Sequence, residues 1–224
     1  MTATMAQPPA AAAVPAENAQ PIVITRTRVD RILIGFGVLA AVVLAVAGAL
    51  LMWGSNFARD YVHDELSSQY IVFPGADALT AQGRTDLVQH AGQTVDTGKE
   101  AEAYASFING HLQGVADGQT YAQLGPAETA AKTAVDDAVA AGKPQATIDE
   151  LQATADGITG QRNTLFKGET LRGLLLSAYA WSTVGMIAGI AAIAMFVAAG
   201  VALILVLLGF WHLRRMHQHD VATS

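Results

Sequence analysis

Two stretches of this chain carry no charged residue: Ile32 to Trp53, 22 residues, and Gly173 to Trp211, 39 residues. As a helix rising about 1.5 Å per residue, the first is about 33 Å long and matches a hydrocarbon core of about 30 Å. The second exceeds one crossing and is too short for two crossings and a turn. A single membrane segment is expected over Ser182 to Phe210, with Tyr179 and Trp181 at one interface and Trp211 at the other. Ala45-Val46-Ala47 has the small-residue form of a signal cleavage site. A signal's apolar region runs about 7–15 residues, however, so a retained span is expected over a cleaved signal.

Charge is distributed to match. Only 14% of residues are charged, against roughly 25% in a soluble domain. Gly54 to Arg172 holds 16 acidic and 8 basic residues, a net −8, and each flanking part carries +1, which gives the overall −6. Basic residues close to span ends set orientation. Arg26, Arg28 and Arg31 precede the first span, and Arg214 and Arg215 follow the second. The expected protein is multi-pass in the plasma membrane, with both termini cytoplasmic and an acidic extracytoplasmic domain between the spans.

The fold class expected is all-α: two transmembrane helices flanking a mostly helical outer domain. Residues 1–31, rich in Ala and Pro, read as a disordered tail. Residues 32–53 are the first span, 54–181 the outer domain, 182–211 the second span, and 212–224 a basic tail suited to anionic headgroups. Ser55 to Gln69 continues the first helix outward, and Tyr70 to Phe73 is a short extended run stopped by Pro74-Gly75. Asp77 to Ala91 is moderately helical, up to an interruption at Gly92. Thr97-Gly-Lys-Glu100 has the form of a capping box and opens an amphipathic helix over about 98–115. Tyr121 to Leu124 reads as a loop before Pro126. Ala127 to Ala141 reads as a helix, and a second box, Thr147 to Glu150, opens another through about Ala155. A break at Gly157 to Gly160 precedes the helix that enters the second span.

Gly37, Ala41, Ala45 and Ala49 recur every four residues on the first span, and Gly185, Gly189 and Ala192 lie on the second. Small side chains let helix backbones approach closely in lipid, so these residues are the expected packing face. Neither span holds an ionisable residue, which argues against a pump, transporter or channel.

Chemical motifs are sparse. With no cysteine, thiolate nucleophiles, disulfides and thiolate metal sites are excluded. There is no Gly-x-Ser-x-Gly, phosphate loop or dinucleotide fingerprint. The acidic balance excludes a nucleic-acid partner. His63, beside Asp64 and Glu65, together with His90 and His111, are the candidate metal ligands, since an iron site needs two histidines and a carboxylate close together.

The stretch from His90 through Gly209 carries Ala91 to Asp96, Ala101 to His111, Gly118 to Ala122 and Leu171 to Leu175. In order and spacing these blocks resemble a group of actinobacterial two-span membrane proteins of unknown function, often labelled aromatic ring-opening dioxygenases. The resemblance implies two spans around an outer segment, with Gly92, Val95, Asp96, His111, Tyr121 and Arg172 matching the family pattern. It carries over no catalytic residue. The expected function is an accessory or interaction protein, without a cofactor or enzymatic activity, whose partners are the bilayer and itself or other membrane proteins. The alternative is a metal-dependent oxidoreductase built on the outer histidines.

Overall fold

A computed structural model describes the backbone of residues 26–222 and the side-chain environments of residues 28–215. The expected tail over residues 1–25 and the side chains of His217 and His219 lie outside the described residues. Five helices account for most of the described chain: α1 (Arg26–Ser67), α2 (Ala76–Ala81), α3 (Gly98–Gln113), α4 (Tyr121–Ala140) and α5 (Gln145–Ala222). Two 3-10 turns, Thr85–His90 and Ala116–Gly118, interleave with them. Among the described residues extended pairing is limited to one antiparallel bridge, Val72 with Thr94. The all-α expectation holds, and the extended run at 70–73 is real but pairs through that single bridge.

α1 and α5 are long and apolar enough to cross a membrane, with best-window mean hydropathies of 2.7 and 2.9. Only 6% and 17% of those windows are buried, so most of their apolar side chains point outward, away from the face on which the two helices meet. α1 begins by Arg26, inside the expected tail, and runs on to Ser67 as expected.

The chain divides into two compact units. One joins the segment up to Ala40 with that from Ala202; the other is Ala41–Val201. In the first, a Cβ at Gly37 would lie 2.6 Å from Val206 and one at Gly209 would lie 3.1 Å from Ile34. In the second, Gly48 faces Phe196, Gly189 faces Ser55, and Gly185 faces Ala58 and the Ser55 carbonyl. Both sets run antiparallel, each step up α1 matched by a step down α5. Ile32 is therefore level with about Trp211 in the first unit, and Trp53 with about Ile190 and Ala191 in the second.

The packing face follows a different period from the four-residue ridge. Along α1 in the second unit, a seam of covered positions runs through Ala41, Leu44, Gly48, Leu51, Ser55, Ala58 and Val62 in alternating steps of three and four, flanked by half-buried Ala45, Ala47, Met52 and Gly54. A step of four advances 400°, so a ridge at every fourth residue drifts about 40° per step off the seam. Ala41 and Ala45 remain partly covered, whereas Ala49 is exposed and Gly48 takes the close contact. Ala192 is fully buried.

The rest of the second unit is a small helical head. Its core holds Val62 and Leu66 of α1, Leu79 of α2, Leu87 of the first 3-10 turn, Phe73 and Val95 of the connecting segments, Ala101, Ala105 and Phe107 of α3, and Leu175 of α5. A second cluster joins Leu112, Leu124 and Leu165. Arg84 ties the first 3-10 turn to α3, donating to the Ser106 carbonyl at 2.8 Å while paired with Asp86. The expected helix over 77–91 divides into α2 and this turn, with Gly83 at φ +71° between them.

Three boundaries differ from expectation. α4 starts at Tyr121, six residues before Ala127, because Thr120 and Gln123 form a reciprocal capping box that the following proline obscured. Pro126 sits in the second turn and lacks an amide for the Ala122 carbonyl. In the first turn, beside it, the Arg162 Nε donates to the Tyr121 carbonyl at 3.3 Å. α5 starts at Gln145, with the amides of Thr147 and Ile148 donating to the Pro144 carbonyl, so Thr147 lies inside the helix and does not cap it. α5 also passes unbroken through Gly157 and Gly160, both exposed with nothing near a Cβ position. Each glycine costs about 1 kcal/mol relative to alanine, offset by contacts on either side: Ala155, Thr159, Arg162 and Leu165.

Candidate functional site

The segment between the bridge and α3 presents the densest group of sequence-selected residues. Gly92 adopts φ +70° in the turn, and its amide donates to the Pro74 carbonyl at 3.3 Å. Val95 is fully buried, with its amide on the Ile71 carbonyl at 2.8 Å. This pins Asp96 and the start of α3 beside α1 and α5. Gly98 touches α5 so closely that a Cβ there would fall 2.3 Å from the Ser182 Cβ.

The resulting cleft, about 420 Å³, is lined by Arg59, Asp60 and His63 of α1, by Asp96 to Lys99, and by Ser182. The His63 Nδ1 lies 3.3 Å from the Asp96 carbonyl. The capping box at Thr97 forms as expected: Glu100 accepts from the amides of Asp96 at 3.0 Å and Thr97 at 2.9 Å, and its own amide donates to the Thr97 hydroxyl. Burial alone would raise the Glu100 carboxyl, but those amides outweigh it and hold Glu100 below the usual carboxylate range. The neighbouring Asp96 moves the other way, raised by burial and by Glu100. Neighbouring carboxyls are thus shifted in opposite directions by their different surroundings. With Arg59 and Lys99 also among its lining residues, the cleft presents both signs of charge to a polar segment.

The three histidines are not brought together. His90 stacks on Phe73 at 5.1 Å and meets the Gln93 amide group at 3.2 Å. His111, in the last turn of α3, sits edge-on to Phe107 with its Nδ1 3.1 Å from the Phe107 carbonyl. Among the described residues no three His, Asp or Glu side chains converge as metal ligands would.

The remaining pattern residues have separate settings. Arg172 pairs with Glu169 at 2.9 Å on the surface of α5. Tyr121 lies under the Arg162 guanidinium, 4.1 Å from its ring centroid. That contact belongs to a polar hub absent from the expected site list. Buried Glu128 of α4 accepts from Lys132 at 2.9 Å, Thr159 at 2.8 Å and Arg162. Lys132, then Arg162 and Thr159, hold the Glu128 carboxyl down at about 2. The Glu128 to Lys132 spacing of four was a visible signal, since such pairs meet on a helix face; the reach to Arg162 was not visible. Ser55 is likewise buried, its hydroxyl without a partner against Gly189.

Comparison with protein-family models, with curated proteins and with solved structures finds no match.

Proposed function

We propose that this chain is an integral membrane protein whose acidic head is an interaction or accessory module outside the plasma membrane. The carrying observation is the outward-facing apolar surface of α1 and α5, 6% and 17% buried over windows of hydropathy 2.7 and 2.9. A helix apolar all round needs a nonpolar surrounding, and within the chain each of these two is covered only along the face that meets the other. The antiparallel contacts of Gly37 with Val206 and Gly209 with Ile34 support a reading in which both basic ends lie on one side, the cytoplasmic one. The register within each unit supports a second span over about 190–211 in place of 182–211, and on this reading Gly173 to Gly189 belongs to the head although it carries no charge.

The interaction reading is supported by the unbroken run of both helices from the apolar segments into the head. A head fixed on two continuous helices presents its surfaces at a set height above the bilayer, as a docking module requires. Native-gel analysis of protein extracted from membranes in mild detergent tests it. The expected result is a species larger than the 23.3 kDa chain with its detergent; a monomer under every mild extraction overturns it.

A further inference from the structure

From the interaction reading, which this inference deepens, we infer that the apolar flank of the head's helical stalk is the contact surface for a second copy of this chain. The stalk has two unlike sides. One holds the polar cleft around His63 and Asp96. On the other, a groove of about 300 Å³ runs between Tyr61 and Leu66 of α1 and Leu171, Leu174 and Trp181 of α5, with Glu65 its one charged lining residue. Phe57 continues this side, stacked on Tyr61 at 6.2 Å.

Most of this flank stands clear of the bilayer. Tyr61 lies eight residues past Trp53, and Trp181 and Leu174 lie nine and 16 residues before Ile190, about 12, 14 and 24 Å of helix, whereas the headgroup layer adds only about 5–7 Å on each side and reaches Phe57 alone. The flank is large: Phe57 58%, Tyr61 51%, Leu171 39%, Leu174 65% and Trp181 54% exposed. With aromatic side chains at about 150–250 Å² each, these five leave on the order of 500 Å² uncovered. Two flanks together reach the roughly 1,000 Å² that a specific interface requires.

Two features select a second copy. The membrane holds two copies at one height and in one orientation, so a twofold axis along its normal sets Trp181 and Leu174 of each opposite the same residues of the other. Each head also carries the −8 of residues 54–172, so two heads repel and meet most readily on a face with few charges, and this groove holds one, Glu65.

The chain has no cysteine, so Leu174→Cys and Trp181→Cys each give a single thiol at an exposed position where folding is undisturbed. Oxidation in native membranes is expected to yield a disulfide-linked product of roughly twice 23.3 kDa from both, and none from Lys99→Cys in the polar cleft. Adding Leu174→Glu to Trp181→Cys is expected to lower that product at least tenfold. A product from Lys99→Cys alone places the dimer elsewhere, overturning the inference and keeping the interaction reading. No product, with Trp181→Cys shielded from an impermeant maleimide in cells, assigns the flank to a different protein and overturns the second copy alone. No product with Trp181→Cys freely reactive overturns both.

Discussion

Replacing Gly98 with alanine adds one methyl at the tightest contact between the head and the long helices. The new Cβ would fall 2.3 Å from the Ser182 Cβ and 3.3 Å from the Tyr179 Cα. Neither atom is the end of a flexible side chain, so α3 or α5 must shift. Overpacking of this kind costs about 1–3 kcal/mol. Alanine returns part of that through helix propensity, less than the roughly 1 kcal/mol of a helix interior because Gly98 is the first residue of α3. The net expected loss is about 1–2 kcal/mol, or about 2–8 °C in Tm at roughly 2–4 °C per kcal/mol for a chain of this size. Circular dichroism melts of detergent-solubilised protein measure it. Ser182→Gly removes the clashing atom, and the double variant Gly98→Ala/Ser182→Gly is expected to recover most of the loss relative to Ser182→Gly alone. A neutral Gly98→Ala, or a double variant without recovery, would refute the packing described.

Gly48→Leu is expected to lower thermal stability in detergent by displacing Phe196, while Ala49→Leu, one residue on and exposed, leaves it unchanged; the same melts separate the two. Thr97→Ala and Thr120→Ala each remove a capping box and are expected to cost about 1 kcal/mol, read as lower Tm values. Glu128 is held down at about 2 from an ordinary 4.5. Its folded-state value is depressed, so its contribution is fully present above about pH 4.5 and is lost as pH falls from there through 2. Melts of the wild type and Glu128→Gln across that range should therefore converge at the acid end, and parallel curves would contradict the hub.

The architecture was legible where local chemistry and periodicity agreed. The two charge-free runs, the Thr97 box and the Gly185 and Gly189 pair all reappear in the structure, because each needs only neighbouring residues to be read. The misreadings arose where tertiary contacts outweigh local signals. Pro126 reads as a stop, yet the Thr120 box and the Arg162 bond sustain α4 through it. Gly157 and Gly160 read as a break, yet flanking contacts to Glu128 and Leu124 keep α5 continuous. Ala49 lies exposed beside the α1–α5 seam, because a four-residue ridge follows such a seam over two turns and departs from it over three. In the cleft, Asp96 and His63 were both singled out, but their meeting depends on a fold contact 33 residues apart in sequence, which spacing does not encode.

The central claim is that α1 and α5 cross a membrane and hold the head on its outer side. Single cysteines tested on intact cells with a membrane-impermeant maleimide address it most directly. Lys143→Cys in the exposed head turn should label without permeabilisation, Arg215→Cys only after it, and Leu39→Cys and Ile193→Cys in neither state. Labelling of Ile193→Cys in intact cells, or of Lys143→Cys only after permeabilisation, would contradict the account.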